Sequence, residues 1–141
     1  MKKRKEGFTL IELLIVMAVI AALMGALVPV AINAINHANA TRVAENLRAI
    51  STAAQQYIYT EKSTSVTIDK LSPYLAGKAN YSSDYGVTAS KVTANEYVIK
   101  VWYKKTSPST TAVKNVWSAV TTLSTNNKKY PSVDSTISIY W

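Results

Sequence analysis

The sequence predicts an α+β chain: one long N-terminal helix, half transmembrane and half amphipathic, packed on a small antiparallel β-sheet head. Three observations predict it. Leu13 to Ile32 is an uncharged apolar run. Helical spacing of apolar residues continues beyond it through Val43, Leu47, Ile50, Ala54, Tyr57 and Ile58. The pattern then changes to period two, with Tyr97, Ile99, Val101 and Tyr103 alternating with Val98, Lys100 and Trp102.

At ~1.5 Å per residue, the twenty residues from Leu13 to Ile32 cover ~30 Å, the thickness of a bilayer core. Lys2, Lys3, Arg4 and Lys5 precede them, and basic residues flanking a span resist translocation, so the expected orientation is N-in, C-out. A secretory signal cut at Ala38-Asn39-Ala40 is the competing reading. Its apolar core would be only ~7–15 residues, and here Asn33, Asn36, His37 and Asn39 lengthen the gap to the cut. Within the run, Pro29 lacks a backbone donor and clashes with the preceding turn, so a kink or local loosening is expected between Gly25 and Pro29.

Glu12 is the one carboxylate at the edge of this apolar segment. At the centre of a spanning helix an ionised carboxylate costs ~3 kcal/mol even on lenient scales, and such groups have partners. Thr9-x-x-Glu12 fits a capping box, which would make Glu12 a local structural residue.

The contiguous stretch Gly7-Phe8-Thr9-Leu10-Ile11-Glu12-Leu13-Leu14-Ile15-Val16, behind its short basic leader, resembles the cleavage and methylation motif of type IV pilins and the related pseudopilins. The resemblance implies a pilin fold and a leader of residues 1–7, cut after Gly7 by a prepilin peptidase that methylates the new amine on Phe8. It also implies an assembly salt bridge between Glu12 and the Phe8 amine of a neighbouring subunit. A low-dielectric filament core fits that role, because a lone carboxylate and a lone ammonium are each costly there and pairing offsets much of both penalties. Gly25 and Pro29 would bound a segment that loses helical order in the filament. The implied partners are copies of this chain and other pilins in a helical filament, the peptidase and an inner-membrane assembly platform. The implied location is the bacterial inner membrane as a precursor, then a cell-surface pilus serving adhesion, motility or DNA uptake. The resemblance covers roughly residues 1–55, and the head follows it only in the order of elements. Many Gram-negative pilins close the C-terminal region with a disulfide, and this chain has no Cys. Two alternatives stand beside the filament subunit: a pseudopilin of a type II secretion system, and a monomeric bitopic membrane protein displaying an external binding module.

The expected organisation is a leader at 1–7, a transmembrane or filament-core helix at 8–35, an amphipathic half at 36–60 and a globular head at 61–141. No enzyme is expected. With no Cys, one His, and the head carboxylates Asp69, Asp84, Glu96 and Asp134 scattered singly, neither a metal set nor a nucleophile constellation is visible, and no cofactor is implied. Grouped carboxylates suited to Ca²⁺, which would favour the major pseudopilin, are not evident either. His37 is placed on an exposed part of the helix with no chemistry assigned.

In the head, Asp69 to Ala76 is expected to form a short turn of helix ended by Gly77, and Tyr81 to Gly86 a loop. Val87 to Val92 pairs with the Tyr97 to Tyr103 strand across Thr93-Ala94-Asn95. A strand is expected over Ala112 to Leu123, chosen over helix because β-branched residues abound there, and a final strand over Asp134 to Trp141. The formal charge is +8; Lys2, Lys3, Arg4, Lys5 and Glu6 contribute +3 of it, leaving +5 after leader removal. The tyrosines and tryptophans of the head are read first as core and cross-strand pairs. A sharper reading takes Trp102-Tyr103-Lys104-Lys105 and Asn126-Asn127-Lys128-Lys129-Tyr130 as basic and aromatic patches, with Lys104, Lys105, Lys128 and Lys129 able to touch DNA or an anionic surface. Asn39-Ala40-Thr41 and Asn80-Tyr81-Ser82 match the short glycosylation sequon.

Overall fold

Helix α1 runs from Leu10 to Glu61 and carries two different burial patterns. The computed structural model describes residues 8–75 and 81–140. The expected cleavage position Gly7, the helix-ending Gly77, the sequon residue Asn80 and Trp141 lie outside them. The chain divides into two compact units between Ile35 and Asn36. In the first, seventeen large apolar side chains from Phe8 to Ile35 stand 43–84% exposed. In the second, Ala40, Val43, Ala44, Leu47, Ile50, Ala53, Ala54, Tyr57 and Ile58 are buried, the stripe that the periodicity predicted.

The second unit closes this stripe with a sheet. After α1 come a 3₁₀ turn at Asp69–Tyr74, the one-turn helix α2 at Tyr81–Asp84, strands β1 at Tyr85–Lys91 and β2 at Glu96–Tyr103, helix α3 at Thr110–Val116, and strands β3 at Thr121–Thr125 and β4 at Lys128–Ser138. The sheet is antiparallel throughout, in the order β1-β2-β4-β3. Registers Tyr85↔Tyr103, Ile99↔Ser135 and Val101↔Val133 align its inner face, from which Tyr85, Ile99, Val101, Tyr103, Val133 and Ile137 enter the core. Side-chain bonds fasten the helix to this sheet along its length: Asn46 Nδ2 donates to the Tyr85 hydroxyl (2.9 Å), Gln55 Nε2 to Ser135 Oγ (2.5 Å) and Tyr59 OH to the Ser138 carbonyl (3.2 Å). The 3₁₀ turn buries Leu71 and sets Tyr74 edge-on to Tyr57, with ring centroids 6.0 Å apart.

Three expectations are corrected. The segment Ala112 to Leu123 is not one strand: Ala112 to Val116 belong to α3, and Thr121 to Leu123 to β3. Ser109 caps α3, its hydroxyl accepting from the Ala112 N–H at 3.2 Å, and Val113 is fully buried, so cap and burial override β-branched propensity. The last strand starts at Lys128 rather than Asp134. Asn126 and Asn127 both take positive φ (52° and 60°), the geometry of a two-residue hairpin turn, so Lys128 and Lys129 are strand residues and not loop residues. Pro131 fits inside β4 because pairing with β2 begins only at Ser132, which leaves its donor-less nitrogen outside that ladder. Finally, Tyr81 to Gly86 is not a loop but a helical turn followed directly by β1.

On the outer sheet face the Trp102 ring lies across Gly86, its cross-strand partner, and fills the space a side chain at 86 would need. Gly86→Ala is expected to lower stability by ~1–3 kcal/mol through overpacking. In a Trp102→Ala background the same change should have much less effect, a coupling that a double-mutant cycle by denaturant unfolding measures directly.

Candidate functional site

At the N-terminal end of α1 the sequence places Thr9 three residues before Glu12, and the helix start draws the two together. Glu12 Oε2 accepts from the Thr9 backbone N–H (2.8 Å) and from Thr9 Oγ1 (2.7 Å), while the Glu12 N–H donates to Thr9 Oγ1 (3.3 Å). This is the reciprocal capping box that the spacing offered. Its donors are neutral dipoles, and among the described residues the carboxylate has no ion-pair partner. Thr9, which holds it, directly follows Phe8 in the chain, and Phe8 is 84% exposed. Further along, α1 is assigned as continuous helix through Gly25 and Pro29. Pro29 has no N–H to give the Gly25 carbonyl, and nothing lies within 4 Å of where a Gly25 side chain would begin, so this turn lacks one backbone bond and has no packing to replace it.

The four lysines singled out in the head fall into two pairs. Lys104 Nζ donates to the Ser82 carbonyl at 2.6 Å, and Lys105 Nζ forms an ion pair with Asp84 Oδ1 at 2.8 Å. That contact holds the Asp84 carboxyl below its usual range and raises the Lys105 ammonium, so both are held in their charged forms at neutral pH. Lys128 and Lys129 are exposed beside the β3–β4 turn and form no ion pair among the described residues. Folding brings parts of the two basic and aromatic patches to one cavity of about 280 Å³, lined by Trp102, Lys104, Leu123, Thr125 and Tyr130. The first sequon lies within α1, where the Thr41 hydroxyl donates to the His37 carbonyl at 3.0 Å. No group of three or more metal-ligating side chains occurs among the described residues.

Residues 2–28 match the family model described as the prokaryotic N-terminal methylation motif. The chain begins as a type IV pilin-like prepilin begins. The matched span includes Gly7, Phe8, Thr9 and Glu12 and extends into the apolar run as far as Val28. Together with the long helix packed on a four-stranded antiparallel sheet, it supports a membrane-anchored, pilin-like precursor. No curated protein and no solved structure is significantly similar to the chain. The prepilin motif thus accounts for the first helix half, and the head must be read from its own chemistry.

Sequence reasoning did not single out the partners that decide which lysines are available: Asp84, Ser82 and the tyrosines around them. Tyr81, Tyr85 and Tyr103 form a ring cluster with centroid separations of 5.9 and 5.1 Å. Burial pushes the Tyr85 phenol up to about 12, against an ordinary 10.0. Because the folded value lies above the unfolded one, its contribution to stability is complete below pH 10.0 and is lost as pH rises through about 12. An ultraviolet titration of the folded protein should show a tyrosine ionising near pH 12, and Tyr85→Phe should remove that step and lessen the alkaline loss of stability.

Proposed function

We propose that the chain is a structural subunit of a type IV pilus or closely related filament, made as a membrane-anchored precursor and assembled around its own N-terminal helices. The observation that carries this reading is the coincidence of the matched prepilin motif with a helix half whose large apolar side chains are exposed. Seventeen such side chains require hydrocarbon on all sides, and a bilayer or a bundle of identical helices supplies it. In this reading residues 1–7 are the leader, removed after Gly7 by a prepilin peptidase that methylates Phe8. The precursor lies N-in, C-out, and an inner-membrane assembly platform extracts it. Motif and fold favour a structural role over an enzymatic one.

Glu12 then sets the axial register. The Thr9 cap fixes the carboxylate with neutral donors, and the Phe8 amine of a neighbouring subunit supplies the counter-charge. The turn between Gly25 and Pro29, one backbone bond short, is where the helix gives way in the filament. Intact-mass analysis of sheared surface material should find a chain beginning at methylated Phe8; a chain beginning at Met1 and confined to membranes would favour the bitopic alternative, and one beginning at Thr41 an ordinary secreted protein. Glu12→Ala should be processed normally but lower filament yield at least ~tenfold, since removing one member of a buried pair costs ~3–5 kcal/mol. Wild-type filament numbers would rule out the register role.

A second reading, contact with DNA, is favoured by the cavity that joins Trp102 and Tyr130 beside Lys104. Lys104 and Lys105 already hold Ser82 and Asp84, so the phosphate contacts fall mainly to Lys128 and Lys129. Retention of the full chain on DNA should weaken with salt, and Lys128→Ala with Lys129→Ala should make the salt slope shallower by roughly 0.7–0.9 for each phosphate no longer neutralised. A flat salt response in the unaltered protein would count against DNA binding.

A further inference from the structure

A second, larger cavity of about 430 Å³ lies wholly within the unit that begins at Asn36, between the first turns of its helix and the tyrosine cluster. Its size falls within the ~300–1,000 Å³ of small-molecule sites. Asn39, Arg42 and Asn46 line it from α1. Their spacing of three and four residues sets them on one helix face, a row of two carboxamides with a guanidinium between them, ~10 Å long. Tyr81, Tyr85 and Tyr103 face this row, and Ser107 adds a hydroxyl.

The unused hydrogen-bonding capacity defines the ligand. Asn46 already donates to the Tyr85 oxygen, which leaves the phenolic proton of Tyr85 to be donated elsewhere. Asp84, the acid of the lining, is neutralised by Lys105 at 2.8 Å. Arg42 has no acidic partner among the described residues, so the cavity carries surplus positive charge. The tyrosine rings tilt against one another at 58° and 44° and present no parallel pair of faces to sandwich a flat base. A matching ligand has one carboxylate for the bidentate fork of Arg42, hydroxyls for the carboxamides and Ser107, and a puckered ring with an apolar face for Tyr81, which is half-buried where Tyr85 and Tyr103 are buried. We propose that this cavity binds an acidic sugar, a hexuronic acid, with its carboxylate on Arg42. The site is separate from the Glu12 end of the helix and does not depend on filament assembly.

The test is an NMR titration of the isotope-labelled full chain in detergent micelles with sodium glucuronate, and in parallel with glucose and with acetate. Saturable shifts of Arg42, Asn46 and Tyr81 resonances are expected with glucuronate, at an affinity at least ~tenfold above that for either control, the range of a charge-assisted bond. Arg42→Gln should reduce glucuronate to the level of glucose, whereas Tyr81→Ala should weaken glucuronate while leaving its preference over acetate diminished but present. Arg42 is exposed and Tyr81 half-buried, so an unchanged melting temperature would show that both variants remain folded. The proposal is overturned if glucuronate gives no saturable shifts, if glucose or acetate binds as well, or if folded Arg42→Gln binds glucuronate unchanged.

Discussion

One helix faces two solvents. From Leu10 to about Ile35 its large apolar side chains are exposed, while from Ala40 to Ile58 a single stripe is apolar and is covered by the head. The free-energy cost of leaving the first half in water, ~25 cal/mol for each Å² of apolar surface, is what dictates hydrocarbon or other helices around it. The second half has the opposite requirement. Its stripe needs a sheet, and the head gains from the stripe, because a segment of this size is at the small end of what holds itself together alone.

The head meets that requirement with packing and hydrogen bonds, without a single cysteine. Val101 and Val133 face one another across β2 and β4, and Ile58, Leu71, Val113 and Val120 close the remaining sides of the core. The helix is fastened by polar bonds from Asn46, Gln55 and Tyr59, which specify register along its axis in a way that an apolar stripe cannot. Arg48 lies over the Trp117 ring at 4.6 Å and ties the same helix to the end of α3.

Charge in this molecule is arranged in the same economical manner. Glu12 is held by hydrogen bonds from Thr9 and has no ion pair among the described residues. In the head, Asp84 pairs with Lys105 at 2.8 Å and Asp134 with Lys100 at 3.6 Å, while Arg42, Lys128 and Lys129 form no ion pair among the described residues. Exposed pairs of this kind contribute little stability, so their importance lies in which cations they leave available.

Much was legible in the sequence because it depends on local pattern. The apolar run, the Thr9–Glu12 cap, the prepilin motif, the buried stripe of α1 and the β1–β2 hairpin each follow from residue type and spacing over a few turns. The strand over Ala112 to Leu123 was misread because β-branched propensity there opposes a Ser109 cap and the burial of Val113, and only the packed head decides between them. The early start of β4 requires Pro131 inside the strand, and its tolerance there depends on where β2 stops pairing. Likewise, residues far apart in sequence, Arg42 with Tyr81 and Ser107, or Trp102 with Tyr130, reach a common cavity only when the strand order β1-β2-β4-β3 is set. The sequence by itself determined the helix, its membrane half and its processing motif, since hydropathy and capping act locally. The tertiary structure decided which cations are paired and which aromatic rings share a cavity, since those depend on long-range contacts that no spacing encodes.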